Sequence, residues 1–82
     1  MKVRLHPHAQ QRLQERGATE AEVIATVTKG ERFEAKFGRT GFRRNFRYED
    51  EWHGRQYTTK QVEAFAVEEK GWLVISLITK FF

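Results

Sequence analysis

The feature that most constrains the fold is a change in the spacing of apolar residues at Glu31. Before that residue, apolar side chains recur three and four positions apart, as in Val23, Ile24 and Val27, which is typical of a helix with one buried face. After it, apolar and polar residues alternate, which is typical of half-buried strands. With 82 residues, the chain has room for one domain. The sequence therefore predicts a single α+β domain over residues 1–82.

The part before Glu31 contains the signals that begin and end two helices. Helix formers follow Pro7, which suits a first helical turn, and the segment ends at Gly17, a common C-terminal stop. Thr19 and Glu22 have the spacing of a capping box, in which each side chain satisfies a backbone N–H of the other. We expect a second helix to begin there and to end at Lys29.

The remaining residues predict a mainly antiparallel sheet of four to five strands, with both helices packed on one of its faces. A short strand is expected at Val3, and longer strands at 31–37, 42–48, 61–69 and 72–80. The last of these is apolar on both faces, which favours a central position. Residues 49–60 are expected to be a twelve-residue connection, which is long for a small domain and typical of functional loops, mobile loops or unrecognised strands.

Positive charge is concentrated in the first part of the chain. The net charge is +4, and residues 1–48 contain eleven Lys and Arg against five Glu. Residues 36–48 alone contain five cations and four aromatic rings with no acid. Alternating cations and rings fit a phosphodiester backbone with stackable bases. They also fit a solvated sheet edge on which charges discourage aggregation, so charge alone leaves both interpretations open.

Several kinds of chemistry are excluded by composition. The chain has no cysteine, so it has no disulfide or thiolate metal site. Ser76 is the only serine and Asp50 the only aspartate, which makes a Ser-His-Asp triad implausible. His6 and His8 form an H-x-H pair, but zinc sites need three or four ligands, and no others lie nearby. We therefore expect neither a metal site nor a cofactor.

No segment of the sequence resembles a membrane or secretion signal. The longest apolar stretch, residues 72–78, is far shorter than the ~20 residues that a membrane-spanning helix needs. The first residues lack the apolar region of a signal peptide. We expect a cytoplasmic protein that does not enter a membrane.

His8, Arg12 and Arg16 lie four residues apart on the first predicted helix, so they share one line along its surface. An imidazole and two guanidinium groups in a row could face an anionic ligand. The same row could instead be a solvated face, or could bind the helix to carbonyl and carboxylate groups of the sheet.

Residues 8–23, which read HAQQRLQERGATEAEV, resemble the opening of a family of small bacterial domains of unknown function. The signature of that family reads H-A-x-x-R-[ML]-x-x-R-G-[I/A]-[T/S]-x-x-[E/D]-V. The later segments Phe42-Arg43-Arg44 and Leu77–Lys80 look like the rest of its layout. The family is similar to the RelE/ParE toxin superfamily, which includes RelE-type ribosome-dependent ribonucleases, BrnT-type ribonucleases and ParE-type gyrase poisons.

The resemblance implies a RelE/ParE-like fold and a toxin-like domain that contacts RNA, on or off the ribosome, and that pairs with an antitoxin protein. It implies endonucleolytic cleavage without a metal, in which clustered basic groups neutralise the reacting phosphate. His8 would transfer a proton, because imidazole both accepts and donates protons near neutral pH, and Arg12 would orient it or bind phosphate. The residues expected to bind nucleic acid are Arg16, Arg43, Asn45, Arg47 and Lys80.

Two alternatives are left open by the sequence. One is a non-catalytic module, or an inactive relative, that binds nucleic acid or protein through its basic strand. The other is a ParE-like domain that binds gyrase and cleaves nothing.

Overall fold

The structure, a computed structural model, describes residues 2–82, in which two helices precede most of a five-stranded mixed sheet. In chain order the elements are β1 (Val3–Leu5), α1 (Pro7–Arg16), α2 (Glu20–Lys29), β2 (Glu31–Glu34), β3 (Thr40–Trp52), β4 (Arg55–Glu68) and β5 (Trp72–Phe81). The strands lie in the order β1-β5-β4-β3-β2. The β1 strand is parallel to β5, and all other neighbours are antiparallel. The α+β class and the mainly antiparallel sheet are confirmed.

The core lies between the helices and one face of the sheet. Ala9 of α1 and Val23 and Val27 of α2 are buried in the same cluster as apolar side chains of the three long strands. The sheet side chains of this cluster are Phe42, Val62, Ala64, Ala66, Trp72, Val74 and Leu77. Small alanines at the centre of β4 let the helices approach the sheet closely. Burial of this face leaves the opposite face of the sheet without a covering helix.

Both ends of α1 are fixed by local side-chain and backbone geometry. His6 is the N-cap, and its Nδ1 accepts a hydrogen bond from the backbone N–H of His8 at 3.0 Å. Pro7 occupies the first turn, and Gly17 ends the helix in the left-handed region at φ 69°. The H-x-H pair is thus explained in part by helix capping, which occupies one of the two imidazoles.

The capping box at the start of α2 is confirmed. The Thr19 hydroxyl accepts a hydrogen bond from the backbone N–H of Glu22 at 3.1 Å, and the Glu22 carboxylate accepts one from the N–H of Thr19 at 3.0 Å. Two N–H groups of the first turn, which have no partner within a helix, are satisfied in this way.

The buried ammonium group of Lys60 connects both helices to the sheet. Its Nζ donates to the carbonyl oxygen of Gly17 at 2.8 Å and to Oε1 of Glu22 at 2.7 Å. It also lies 5.2 Å from the ring centroid of Tyr48. A buried cation is stable only when its donors are satisfied, and here the end of α1, the start of α2 and β3 all contribute. The turn between the helices is therefore fixed above the middle of β4.

The segment 49–60 is not a loop, so the predicted connection is wrong and the alternative of unrecognised strands is confirmed. The strands β3 and β4 continue through it as a long hairpin, closed by a two-residue turn at His53 and Gly54 with φ angles of 51° and 82°. Two consecutive left-handed residues give the turn that matches the twist of paired strands. The alternation is hard to see in the sequence because Glu49, at φ 46°, lies in a bulge that shifts the register by one residue.

This hairpin folds aromatic side chains back over the turn between the helices. The Trp52 ring stacks on Phe81 at 5.0 Å between centroids and lies directly against the backbone of Gly17. Tyr48 and Tyr57 contact the same Phe81 ring. Gly17 therefore has two reasons to be glycine: its positive φ, and the Trp52 ring in the space that a side chain would need.

Two further predictions about the strands need correction. The strand expected over 31–37 ends at Glu34, because Phe37 and Gly38 form the turn, at φ 62° and 70°. The strand β5 lies second from the edge, and β4 is central. The three-residue β1 pairs with the beginning of β5, so β5 has a neighbouring strand on both sides there.

Among residues 2–82, no helix is long and apolar enough to cross a membrane.

We predict that replacing Lys60 with methionine lowers the free energy of unfolding by about 3 kcal/mol, because the carboxylate of Glu22 then loses its buried partner. Urea denaturation of the variant and the parent measures the difference. Lys80→Met is the matched control. The Lys80 side chain is 60% exposed and its ammonium lies as far as 3.9 Å from Glu63, so its removal should cost less than about 1 kcal/mol. Equal midpoints for the two variants would contradict the role given to Lys60.

A second prediction separates backbone strain from contact at Gly17. Gly17 and Gly38 have nearly the same φ, 69° and 70°, but only at Gly17 would a Cβ overlap another group, at 2.7 Å from the Trp52 ring. Gly38→Ala should cost about 1 kcal/mol of stability, from the φ alone. Gly17→Ala should cost at least ~1 kcal/mol more, from the overlap. The comparison is made by urea denaturation, and equal losses would show that the hairpin does not press on this turn.

Candidate nucleic-acid interface

The face of the sheet that no helix covers is called here the open face, and its side chains lie in rows across the strands. One row consists of Phe33, Gly41, Phe65 and Ser76. The next row consists of Glu31, Arg43, Glu63 and Ile78. A third consists of Asn45, Gln61 and Lys80, and Arg47 pairs with Thr59 beyond it. Residues between these positions lie on the helix-covered side of the sheet, since side chains alternate along a strand.

Four of the residues expected to bind nucleic acid lie on this face. Arg43, Asn45 and Arg47 occupy alternate positions of β3, so they project from the same side. Lys80 of β5 is in the same row as Asn45, separated from it by Gln61 of β4. The structure therefore brings together residues from two distant parts of the chain.

Arg43 is held in place by two carboxylates and a ring. Its Nε donates to Glu31 at 3.0 Å, and its Nη1 donates to Glu63 at 3.4 Å. The guanidinium carbon lies 4.5 Å from the ring centroid of Phe33. The Glu63 side chain is only 8% exposed, and Lys80 also lies 3.9 Å from it. Arg43 is thus needed to neutralise a buried acid, in addition to any contact with a ligand.

Arg47 and Asn45 are more accessible. Arg47 donates two hydrogen bonds to Glu49, at 3.0 and 3.1 Å, but its side chain is 83% exposed. An ion pair this exposed contributes at most about 1 kcal/mol, so a phosphate can replace the carboxylate. The Asn45 side-chain oxygen accepts a hydrogen bond from Gln61 at 2.9 Å, and both amides are at the surface of the sheet.

The predicted row on α1 lies apart from the open face. His8 is exposed, and the nearest carboxylate to Arg12 is that of Glu15, at 4.0 Å. The Nε of Arg16 is enclosed without a hydrogen-bond partner in residues 2–82. Since α1 packs on the core side of the sheet, His8 and Arg12 do not share a pocket with Arg43. Within residues 2–82, the basic residues of α1 and those of β3 therefore do not form one catalytic centre.

Sequence reasoning missed the aromatic part of the open face. Gly41 lies between Phe33 and Phe65, and a side chain there would overlap the Phe33 ring. The absence of a Cβ lets Phe33 cross over β3 and meet Phe65 edge to face, at 6.2 Å between centroids. The signal was present in the sequence, since Gly41 and Arg43 share one face of an alternating strand, but the row needs the register of four strands.

Tyr48 is a half-buried side chain whose ring lies beside the Lys60 ammonium group. Burial, followed by the carboxylates of Asp50, Glu22 and Glu51, raises the pKa of the Tyr48 phenol above its ordinary value. The Tyr48 hydroxyl donates a hydrogen bond to the carbonyl oxygen of Glu51 at 2.9 Å. This group supports the hairpin and the Lys60 ammonium.

Residues 2–82 contain no group of three or more His, Cys, Asp or Glu side chains placed to hold a metal ion.

Comparisons with protein-family models, with curated proteins and with solved structures found no match to this chain. The resemblance of residues 8–23 to toxin-related domains, and the fold that it implies, therefore stay predictions.

Proposed function

We propose that this protein is a toxin-like domain that binds single-stranded RNA through its open face. The observation that carries the proposal is the convergence of Arg43, Asn45, Arg47 and Lys80 on one uncovered sheet face. The sequence alone predicts each of these residues to contact nucleic acid. Their convergence supports one continuous interface.

The rings on the same face support a single-stranded ligand. Phe33 and Phe65 lie in the row beside Arg43, so stacking groups and cations are neighbours. Bases can stack on such rings only when they are unpaired, and the cations in the neighbouring rows then meet the phosphates. The net charge of +4 favours approach of a polyanion. RNA in place of DNA follows from the resemblance of residues 8–23.

The binding proposal predicts the effect of removing two exposed cations. Arg47→Gln with Lys80→Gln should weaken binding of a single-stranded RNA oligonucleotide and reduce the slope of log affinity against log salt by about 1.4, or about 0.7 for each lost phosphate contact. Fluorescence anisotropy at several salt concentrations measures both quantities. Arg43 is kept in this variant, because its loss would leave the buried Glu63 without its main partner.

The matched control is Lys29→Gln with Lys70→Gln, which removes the same charge from exposed positions at the end of α2 and in the turn between β4 and β5. This control should keep the salt slope of the parent. Equal losses in both double variants would show that net charge alone is responsible, and would overturn the interface. A single-stranded DNA of the same sequence tests the choice of RNA. A parent that binds neither oligonucleotide would favour the protein-binding alternative.

Metal-independent cleavage by α1 is the second candidate. It is favoured by the exposed imidazole of His8, which has no part in capping the helix, and by the loose 4.0 Å contact between Arg12 and Glu15. Both side chains are free to meet a phosphate that extends beyond the sheet. The imidazole would transfer the proton, and the guanidinium would neutralise developing charge.

For this candidate, the parent should cleave RNA in the presence of EDTA, alone or on ribosomes, and His8→Ala should reduce the rate about 10²-fold or more. His53→Ala is the control, since His53 is an exposed histidine in the hairpin turn. Gel analysis of RNA cleavage compares the three proteins. Absence of cleavage by the parent, or equal rates for parent and His8→Ala, would remove catalysis by His8 and leave a binding domain.

A further inference from the structure

A cavity of about 400 Å³ lies at the end of the open face, beside the turn between β2 and β3. Its walls include three phenylalanine rings, two cations and one hydroxyl group, namely Phe33, Phe37, Phe65, Lys36, Arg39 and Ser76. We propose that this cavity binds one unpaired base of the RNA strand, with the phosphate of that nucleotide on Lys36 and Arg39. The inference rests on the proposed function and assigns a base-binding position to it.

Phe37 is the first reason to assign a ligand to this cavity. Its side chain is 88% exposed, and its backbone is in the left-handed region at φ 62°. A bulky residue rarely adopts that conformation, which is usually left to glycine or asparagine. The ring adds nothing to the core, so the fold does not explain a phenylalanine here. Strained residues of this kind are concentrated at ligand-binding positions.

Phe33 and Phe65 also line the cavity. Their edge-to-face contact restricts both rings, and the Arg43 guanidinium packs on the Phe33 ring at 4.5 Å from its centroid. A base that enters the cavity therefore meets aromatic rings that neighbouring side chains hold in place. Stacking on such a surface accepts any base, because every base has a π face.

A bulge in β5 directs Ser76 into the cavity. Phe65 pairs with Ser76 but Ala66 pairs with Val74, so Ile75 is an extra residue in β5. Without it, Ser76 would share the core face with Val74, since side chains alternate. The only hydroxyl of a serine in the chain is thus placed among apolar groups, where it can donate to or accept from the edge of a base.

The charges around the cavity favour an anionic ligand. Lys36 and Arg39 face one acid, Glu34, in the cavity wall. The ion pairs within residues 2–82 involve other cations, so these two are available to a phosphate. The volume lies within the range of small-molecule sites, which are mostly apolar with a few polar groups. Rings that stack, a hydroxyl and two adjacent cations together match one nucleotide of a strand.

The test compares two oligonucleotides: a single-stranded RNA, and an abasic strand with the same number of phosphates. The parent should bind the RNA more tightly than the abasic strand. Phe37→Ala should weaken RNA binding about 5- to 150-fold, the range for loss of one base–aromatic stack, and should leave binding of the abasic strand unchanged. Phe82→Ala is the matched control, because Phe82 is the other large apolar side chain at the surface, at 58% exposure.

A second variant tests the phosphate contact. Lys36→Gln with Arg39→Gln should weaken binding of the RNA and of the abasic strand equally, and should lower the slope of log affinity against log salt. Suppose that Phe37→Ala binds RNA as tightly as the parent, whereas Arg47→Gln with Lys80→Gln binds it more weakly. That result would overturn the base-binding cavity and keep the proposed function. A parent that binds no RNA would overturn both. Equal weakening by Phe37→Ala and Phe82→Ala would also overturn the cavity, since general surface hydrophobicity would then explain the loss.

Discussion

The structure depends most on the buried ammonium group of Lys60, which joins three elements at one point. The carbonyl oxygen of Gly17 and the carboxylate of Glu22 receive its hydrogen bonds, and the Tyr48 ring packs against it. A lysine inside a small domain is costly unless all its partners are present, so the three elements are fixed together. Both helices are consequently held on one face of the sheet. The other face is left uncovered, and the proposed interface lies there.

The same contacts explain much of residues 8–23. Gly17 provides a left-handed helix end and receives the Trp52 ring, Thr19 caps α2, and Glu22 serves the cap and Lys60 at once. These residues of the segment are needed for the turn between the helices. These residues are therefore explained by the structure of the turn between the helices, and they are weaker evidence for an activity. His8, whose ring is exposed, is outside this structural set.

The open face combines positive groups with acids that hold them in place. Glu63 is buried among Arg43 and Lys80, and Glu49 binds Arg47 at the surface. A buried acid keeps its cation because separation would leave a buried charge without a partner. The cation of an exposed pair can instead leave its acid for solvent or a phosphate. Arg43 thus supports the Phe33 ring, and the more exposed cations are the ones available to the proposed RNA ligand.

The sequence by itself determined the helices, the capping box of α2 and the α+β class, because these depend on residues within a few positions of each other. Thr19 and Glu22 are three residues apart, and Pro7 and Gly17 bound one helix. Tertiary structure decided the long hairpin over 49–60, since its turn uses left-handed residues and its bulge shifts the alternation.

The residues of the open face were likewise decided partly by the sequence and partly by the tertiary structure. The alternation along β3 placed Arg43, Asn45 and Arg47 on one face without any structure. Lys80, Phe65 and Ser76 reach that face only through strand register, and a single extra residue in β5 decides where Ser76 points. Local patterns follow from the geometry of one chain segment, whereas register and burial depend on which distant segment lies alongside. For this reason the sequence by itself determined the helices and the faces of β3, whereas only the tertiary structure decided which distant side chains lie beside them.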